Sequence, residues 1–259
     1  GGHVENAGRL AAIIDELRNE RLLDRLTPLT PKAAMPDQLA IVHSSRYIDL
    51  VQEVAARGGG WLDGDTVMSN QSFEVACYAA GGTLRAAEAV TAGEVDRAFA
   101  LVRPPGHHAT FSEGMGFCIF NNVAFAAASL LASRAVERIL IADFDVHHGN
   151  GTQDLFYSDN RVLYFSAHQS PHYPGTGHYK ELGTGAGYGF TANVPLPAWS
   201  GDDEYERVFR DVLEPLARRF RPQLIIASAG YDAHWADRLS LTQLTVKGYA
   251  VLVAILVGL

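Results

Sequence analysis

Apolar residues along the chain follow two spacings that alternate from one segment to the next. In six segments they recur every three or four positions, as on the buried face of a helix. In four shorter segments they run without interruption between turns, which is typical of strands covered on both faces. The predicted helices span residues 5–20, 45–57, 72–90, 121–133, 203–220 and 242–257, and the predicted strands span residues 98–102, 139–142, 162–165 and 224–227. This alternation predicts an α/β fold with a central, mainly parallel sheet covered by helices, built as a single domain over residues 1–259.

Residues 174–190 are rich in glycine and include the sequence Gly183-Thr-Gly-Ala-Gly187. A glycine loop that binds a dinucleotide follows a strand and opens a helix. This segment does neither on the predicted pattern. The sequence therefore favours a surface loop near the functional site.

Composition and charge exclude several classes of protein. The 259 residues carry a formal net charge of -8, and 47% of them are hydrophobic, which is enough for one sizeable core. The charge disfavours a nucleic-acid-binding protein, which normally has a basic face. With only two cysteines we expect no disulfide framework and a reducing compartment. The first residues do not show the pattern of a signal peptide, and we expect a cytoplasmic location. The longest apolar run, residues 249–257, is too short to cross a bilayer and predicts a buried helix.

The strand predicted at 139–142 ends in the sequence Asp143-Phe-Asp145-Val-His147-His-Gly-Asn-Gly. Alternate residues of an extended chain point the same way, so Asp143, Asp145 and His147 are expected on one side of the backbone at the strand tip. Carboxylates and imidazoles crowded at one place suit a divalent metal ion. A helix N-cap would explain one acidic residue but not the whole run of donors.

The first and last predicted strands also end in reactive residues. The first runs into a Pro-Pro-Gly turn and the pair His107–His108, and the last runs towards Asp232. In a parallel sheet such strand tips meet at one edge. Asp232 by itself could equally cap a helix, but at one of three converging tips it is a candidate metal ligand.

These residues suggest a reaction class. Asp145, His147 and Asp232 would form an open site with room for a water molecule and a substrate carbonyl. His107 and His108 would supply neutral imidazole for proton transfer. Metal-assisted amide hydrolysis uses all of these groups.

Each of the two histidines needs a partner that fixes its tautomer, and Asp143 and Asn150 are the obvious ones. An anionic Asp partner keeps its imidazole cationic to higher pH than a neutral Asn does. We therefore expect one of the two rings to act mainly by its charge and the other to be the better base.

Five motifs, in order over nearly the whole chain, resemble the histone deacetylase family, which includes bacterial deacetylase-like amidohydrolases, acetylpolyamine amidohydrolases and acetoin-utilisation proteins. The resemblance implies a three-layer α/β/α arginase/deacetylase-like fold and hydrolysis of an N-acetyl-lysine-type amide. The motifs are Arg103-Pro-Pro-Gly-His-His-Ala, Gly116-Phe-Cys-Ile-Phe-Asn-Asn-Val-Ala, Asp143-Phe-Asp-Val-His-His-Gly-Asn-Gly-Thr-Gln, Tyr173-Pro-Gly-Thr-Gly and Ser228-Ala-Gly-Tyr-Asp-Ala-His.

By the same resemblance, the three candidate ligands bind zinc. An open, Asp-rich site also accepts Fe²⁺, which is the alternative ion. His108 resembles the family's general base and His107 its electrostatic partner. Asp143 matches the residue that supports His107, and Asn150 the one that supports His108. An Asn at this position is similar to the class II branch and its bacterial relatives.

The resemblance also implies a substrate slot. Phe117 and Tyr173 match the aromatic walls of a tunnel for the acyl-lysine stem, and Gly116 lets the stem pass close to the backbone. Asp65 matches a carboxylate at the rim that holds the substrate main chain.

A structural K⁺ site is implied at Asp143 and Ser166, together with nearby carbonyl groups. The partners implied are an acetylated lysine peptide or protein, or a small acetylated amine. We expect no direct contact with nucleic acid or membrane.

The sequence departs from the family at both ends. The segment His3-Val-Glu-Asn-Ala-Gly-Arg9-Leu resembles the family's N-terminal His-Pro-Glu…Arg-Leu motif, but Val4 replaces the usual proline. The family's first strand has no match. The family's transition-state tyrosine lies in a Gly-Gly-Tyr motif on a strand after the last helix. Tyr249 lies within the last predicted helix and does not match it. We therefore expect a domain that lacks the family's first and C-terminal strands.

Other functions stay open on the sequence. One is an amidohydrolase of acetylpolyamines or other small acyl amides, and another is a non-catalytic module that binds acyl-lysine, or an inactive fragment. An arginase-like enzyme with two manganese ions would need further ligands, whereas the strand tips offer one well-formed set.

Overall fold

The computed structural model describes residues 3–259, and Gly1 and Gly2 lie outside the described part. The chain divides after Ser129 into two compact units, and each unit is described by itself. The single domain expected over residues 1–259 stays a prediction.

The first unit is mainly helical, and a short hairpin lies between its third and fourth helices. The predicted helices at 45–57, 72–90 and 121–133 are confirmed to within two residues at each end, and the first helix lies inside the predicted range 5–20. The elements are α1 (Gly8–Asn19), α2 (Pro36–Leu39), α3 (Ser45–Ala56), β1 (Gly59–Trp61), β2 (Val67–Ser69), α4 (Ser72–Thr91) and α5 (Asn122–Ala132), the last of which begins in this unit.

The prediction of a strand at residues 98–102 was wrong. This stretch is irregular, and no segment of residues 3–259 pairs with it. The side chain of Phe99 is 56% exposed. An apolar run becomes a strand only where a neighbour takes up its backbone hydrogen bonds, and the described chain supplies none here.

Two side chains at and before the start of α3 order the segment between α4 and α5. The His43 Nδ1 atom donates to the Thr110 carbonyl at 2.8 Å, and its Nε2 atom accepts from the Asn121 amide at 3.0 Å. Burial lowers the pKa of His43 to about 4, so the ring is neutral and keeps one donor and one acceptor. The Tyr47 hydroxyl donates to the Ile119 carbonyl at 2.6 Å. The segment that carries the predicted histidine pair is therefore fixed by buried hydrogen bonds.

A four-stranded parallel sheet forms the centre of the second unit, in the order β5-β4-β3-β6. The prediction of an α/β fold with a parallel sheet is confirmed. The strands are β3 (Ile139–Asp143), β4 (Val162–Gln169), β5 (Thr191–Leu196) and β6 (Leu224–Ser228), and the helices are α6 (Asn150–Phe156), α7 (Asp202–Val208), α8 (Glu214–Phe220) and α9 (Val246–Val257).

Every residue of β3 and β4 is buried, as expected for strands covered on both faces. One face packs against α7, α8 and α9, with fully buried Phe165, Tyr205 and Phe209 in this core. In the register, Asp143 lies opposite Ser166 of β4 and Ser228 of β6. The carboxyl ends of β3 and β6 therefore lie level at one edge of the sheet, and β4 continues beyond this level to Gln169.

Strand β5 was not predicted, because Pro195 interrupts it. It pairs only with β4, so it is an edge strand of this sheet, and an edge strand tolerates a residue without an N–H group. Strand β4 is four residues longer than predicted, because polar residues follow its apolar run.

The helix predicted at 203–220 forms as α7 and α8 joined by a π-helical turn, Phe209–Leu213. Pro215 lies in the first turn of α8, and its missing N–H group removes one helical hydrogen bond at the point where the winding changes.

Helix α9 begins four residues later than predicted. The Thr245 hydroxyl caps it by accepting a hydrogen bond from the Gly248 amide at 3.2 Å. The preceding Gln243 and Leu244 form isolated bridges with other loops instead. Residues 174–190 form an irregular loop with one 3₁₀ turn, as predicted.

Among residues 3–259, no helix has the length and apolar character that a membrane crossing requires.

Candidate metal centre

Three predicted ligands of the second unit meet at the edge of the sheet. Asp145, His147 and Asp232 each place one donor atom within 4.8 Å of the others. The His147 Nδ1 atom lies 3.0 Å from Asp145 Oδ1 and 3.0 Å from Asp232 Oδ2. The imidazole nitrogen therefore lies between the two carboxylate oxygens, and the three donor atoms are close enough to bind one ion.

Local hydrogen bonds form this centre directly after β3. The Asp143 carboxylate accepts from the Asp145 amide at 3.2 Å, and the Asp145 carboxylate accepts from the His147 amide at 2.8 Å. The Asp232 carboxylate accepts from the Val146 amide at 2.9 Å. The loop after β3 and the loop after β6 are therefore tied together at the ligands.

A glycine makes room for one ligand. A Cβ atom placed on Gly230 would lie 2.0 Å from the Oδ2 atom of Asp145. Only a residue without a side chain allows Asp145 to approach the β6 loop this closely.

The centre has a negative potential that favours a bound cation. Burial, and then the charge of Asp145, raise the pKa of Asp232 to about 6. Burial acts against a positive charge on His147, but its hydrogen bonds to the two carboxylates outweigh burial and raise its pKa to about 10. A proton held this firmly on His147 occupies the place that a divalent ion would take. Two carboxylates and one imidazole are ligands that Zn²⁺ and Fe²⁺ both accept.

Two aromatic residues from the loop after β4 lie beside this centre. The ring of the predicted wall residue Tyr173 is 6.1 Å from the His147 ring, at 78°. The His172 ring is 4.8 Å from the His147 ring, and its Nε2 atom donates to the Leu239 carbonyl at 2.8 Å. His172 was not predicted, although its position next to Tyr173 was a signal.

The two residues of the predicted K⁺ site are neighbours. Asp143 and Ser166 are paired in the β3–β4 register, and both side chains are fully buried. The Ser166 hydroxyl also contacts the His168 Nδ1 atom at 2.9 Å. A buried carboxylate and a buried hydroxyl at one strand end provide two oxygen atoms for a cation.

A buried polar network connects the glycine-rich loop, residues 174–190, to other elements of the second unit. Gln153 of α6 donates to the Glu181 carboxylate at 2.7 Å, and its carbonyl oxygen bonds with the His148 Nε2 atom at 3.1 Å and the Asn193 amide at 2.6 Å. The His148 Nδ1 atom contacts the Thr176 hydroxyl at 2.7 Å. This network was also missed, because its members lie far apart in the sequence.

The predicted catalytic histidines belong to the first unit. His107 and His108 are both buried, and their ring centroids are 4.0 Å apart. A Cβ atom on the preceding Gly106 would lie 2.6 Å from the Asn122 amide nitrogen, so the turn before the pair requires glycine. Their predicted partners Asp143 and Asn150 are buried residues of the second unit. The pairing of these residues stays a prediction.

The predicted substrate-contact residues Asp65, Gly116 and Phe117 also lie in the first unit, and the structure brings them together. The Phe117 amide donates to the Thr66 hydroxyl, which donates to Asp65. Burial and the neighbouring Asp63 raise the pKa of Asp65, whereas hydrogen bonds with Thr66 and with the backbone of Gly116 act in the opposite direction. Thr66 was not predicted, because no motif or periodic pattern marks it.

Comparisons with known proteins identify the class. The histone deacetylase domain model matches residues 3–259. A probable deacetylase of Archaeoglobus fulgidus is 45% identical over 250 residues, covering 96% of this chain and 69% of that protein. A histone deacetylase-like amidohydrolase of Pseudomonas aeruginosa is 37% identical, over 98% of this chain and 67% of that protein. The crystal structure of the HDA15 HD domain superposes with a TM-score of 0.95 at 37% identity, covering 99% of this chain and 74% of that one.

The fold is therefore the α/β fold of the arginase/deacetylase class. The chain belongs to the histone deacetylase family, whose members hydrolyse acyl amides.

Proposed function

We propose that the protein removes the acetyl group from N-acetyl-lysine-type amides, using a zinc ion held by Asp145, His147 and Asp232. The observation that carries this proposal is the convergence of these three donors within 4.8 Å in a chain of the deacetylase family. Fe²⁺ is the alternative ion, because the donor set accepts both.

When bound, the ion would supply Lewis acidity, which polarises the acyl carbonyl and lowers the pKa of a water molecule. Asp145, His147 and Asp232 would hold the ion, and three protein ligands would leave room for a water molecule and the substrate carbonyl. His172 packs on the His147 ring and restricts its rotation, so that Nδ1 faces the two carboxylates.

The proton transfers are assigned to the histidine pair. His108 takes the proton of the attacking water and returns it to the leaving amine as the C–N bond breaks. His107 stabilises the charge that develops beside it. Asp143 and Asn150 orient His107 and His108 respectively, and the family resemblance supports this assignment.

The substrate's methylene stem would lie between Phe117 and Tyr173, passing close to the backbone at Gly116. Two aromatic rings form an apolar slot for a lysine side chain whose charge has been removed by acylation. Asp65 would hold the substrate main chain at the rim. The same proposal includes a K⁺ ion at Asp143 and Ser166, which would stiffen the loop that carries the ligands.

The test is turnover of a fluorogenic acetyl-lysine peptide by metal-loaded protein. We expect Asp145→Ala to abolish turnover and metal retention, while Asp203→Ala, which removes an exposed carboxylate of α7, preserves both. Equal turnover by wild type and Asp145→Ala would refute the proposal. Acetylspermidine, assayed in parallel, separates a peptide deacetylase from a small-amide hydrolase, and elemental analysis identifies the bound ion.

A further inference from the structure

Phe117 has a backbone conformation that a residue with a side chain rarely adopts. Its φ is +68°, and that of the preceding Gly116 is +55°. The left-handed region costs a residue other than glycine about 1–2 kcal/mol. Something in the surrounding structure must therefore hold this turn in place.

The side chain that holds it is Thr66, 51 positions earlier in the chain. The Phe117 amide donates to the Thr66 hydroxyl at 3.0 Å. Only 1% of the surface of Thr66 is exposed, so water does not compete for this hydrogen bond. A second contact restricts the Phe117 side chain: the His3 ring packs edge-on against the Phe117 ring, with the ring centroids 5.0 Å apart.

The hydrogen-bond directions are determined by chemistry. A backbone amide can only donate, so the Thr66 oxygen is the acceptor for Phe117. The single hydroxyl proton then points to Asp65 Oδ1, 3.2 Å away. A directed relay therefore runs from Phe117 through Thr66 to the Asp65 carboxylate.

Thr66 lies in a turn that is itself held by hydrogen bonds. The Asp63 carboxylate accepts from the amides of Asp65 and Thr66 at 3.0 Å and 2.7 Å. The Leu62 amide donates to the Thr66 carbonyl at 2.9 Å and closes the β1–β2 hairpin. Thr66 is thus fixed by its own backbone before it binds Phe117.

We propose that Thr66 is a positioning residue for substrate binding: its hydroxyl sets the place of the Phe117 ring and links it to Asp65. This inference rests on the proposed function, because it takes the Phe117 ring to be a wall of the acyl-lysine slot. Thr66 is not among the residues proposed to bind the ion or to transfer protons. Its loss should therefore change substrate affinity more than the chemical step.

The variant that tests this is Thr66→Val, which keeps the shape and removes the hydroxyl, with Thr66→Ser to restore it. We expect Thr66→Val to raise KM for an acetyl-lysine peptide about three- to tenfold, the equivalent of one hydrogen bond, with kcat within about twofold of wild type. Thr66→Ser should return KM to within about twofold of wild type. The matched control is Thr83→Val, which removes another buried hydroxyl, bonded to Ala79 in α4.

A second readout does not depend on turnover. Hydrogen exchange of the Phe117 amide should be faster in Thr66→Val than in wild type, and unchanged in Thr66→Ser and Thr83→Val. An amide that stays protected in Thr66→Val, or an equal rise of KM in Thr83→Val, would overturn the inference. Wild-type protein without turnover of any acyl amide would refute the proposed function and the KM arm with it. Accelerated exchange in Thr66→Val would still support Thr66 as the residue that positions Phe117.

Discussion

The carboxylate of Asp232 accepts a hydrogen bond from the backbone amide of Val146 at 2.9 Å, across 86 positions of the sequence. Its other oxygen lies 3.0 Å from the imidazole of His147. The β6 loop is therefore joined to the β3 loop by the same side chain that completes the candidate metal centre. A substitution that removes the charge of Asp232 but keeps an oxygen atom should therefore weaken metal binding without unfolding the protein.

We expect Asp232→Asn to reduce zinc affinity by more than about a hundredfold, because losing a ligand exceeds the roughly 10- to 100-fold cost of losing an outer-shell partner. The Asn side chain keeps an oxygen that can accept from Val146, so the fold should persist. Competition with a chelator measures the affinity, and circular dichroism measures the fold. Asp203→Asn is the control, and an unchanged affinity in Asp232→Asn would contradict the assignment of Asp232 as a ligand.

Metal affinity should rise with pH. In the metal-free protein His147 keeps a proton up to a pKa of about 10, and Asp232 keeps one up to a pKa of about 6. Both protons must leave before the donors can bind an ion, so a higher pH favours the metal-bound form. Calorimetry in buffers of different ionisation enthalpy should show proton release on zinc binding between about pH 6 and pH 9. Zinc binding that is independent of both pH and buffer would contradict this picture.

The same shift affects the stability of the metal-free protein. The folded pKa of His147 lies above its unfolded value of 6.5, so the native state binds the proton more tightly. The stabilisation is fully present below pH 6.5 and is lost as the pH rises towards about 10. We expect chelator-treated protein to lose more of its free energy of unfolding over this range than zinc-loaded protein, measured by urea titration. Parallel losses in the two forms would show that other groups dominate.

Gly230 should be essential for metal binding although it offers no ligand. Gly230→Ala places a Cβ atom 2.0 Å from the Asp145 Oδ2 atom of the unaltered structure, so Asp145 or the β6 loop must move. Overpacking of this kind costs about 1–3 kcal/mol, and the displaced carboxylate lowers zinc affinity further. The control is Gly258→Ala at the end of α9, where the added atom meets its nearest neighbours at an ordinary 3.5 Å. Equal zinc affinity in the two variants would contradict the expectation.

The sequence predicted the convergence of Asp145, His147 and Asp232 better than it predicted the surroundings of these residues, and the reason is geometric. Asp145 and His147 are two positions apart after a buried strand, and parallel strands place their tips at one edge, which brings Asp232 into range. The pattern of apolar and polar residues along the strands is enough to predict this arrangement. It carries no information about Thr66 and Phe117, whose hydrogen bond depends on how a hairpin turn meets a distant loop.

The errors in the fold have the same origin. The 98–102 run is apolar, but the described chain gives it no pairing partner. Strand β5 contains a proline, which is tolerated because the strand has one neighbour instead of two. Both outcomes depend on which segment lies alongside, and local sequence does not specify that.

Two buried tyrosines should respond in opposite ways to loss of their hydroxyl groups. Among the described residues, none hydrogen-bonds the phenol oxygen of Tyr205, which is buried in the core behind the sheet. The Tyr47 hydroxyl, in contrast, donates to the Ile119 carbonyl at 2.6 Å. Removing an unpaired buried polar group relieves a desolvation cost, whereas removing a paired one leaves its buried partner unsatisfied.

We therefore expect Tyr205→Phe to leave the free energy of unfolding unchanged or to raise it by up to about 1 kcal/mol, and Tyr47→Phe to lower it by about 1–3 kcal/mol. Both changes remove one oxygen atom from a buried ring, so each variant serves as the control for the other in urea titrations. A marked loss of stability in Tyr205→Phe would mean that an ordered water molecule satisfies its hydroxyl, because only a partner outside the chain could make that oxygen stabilising.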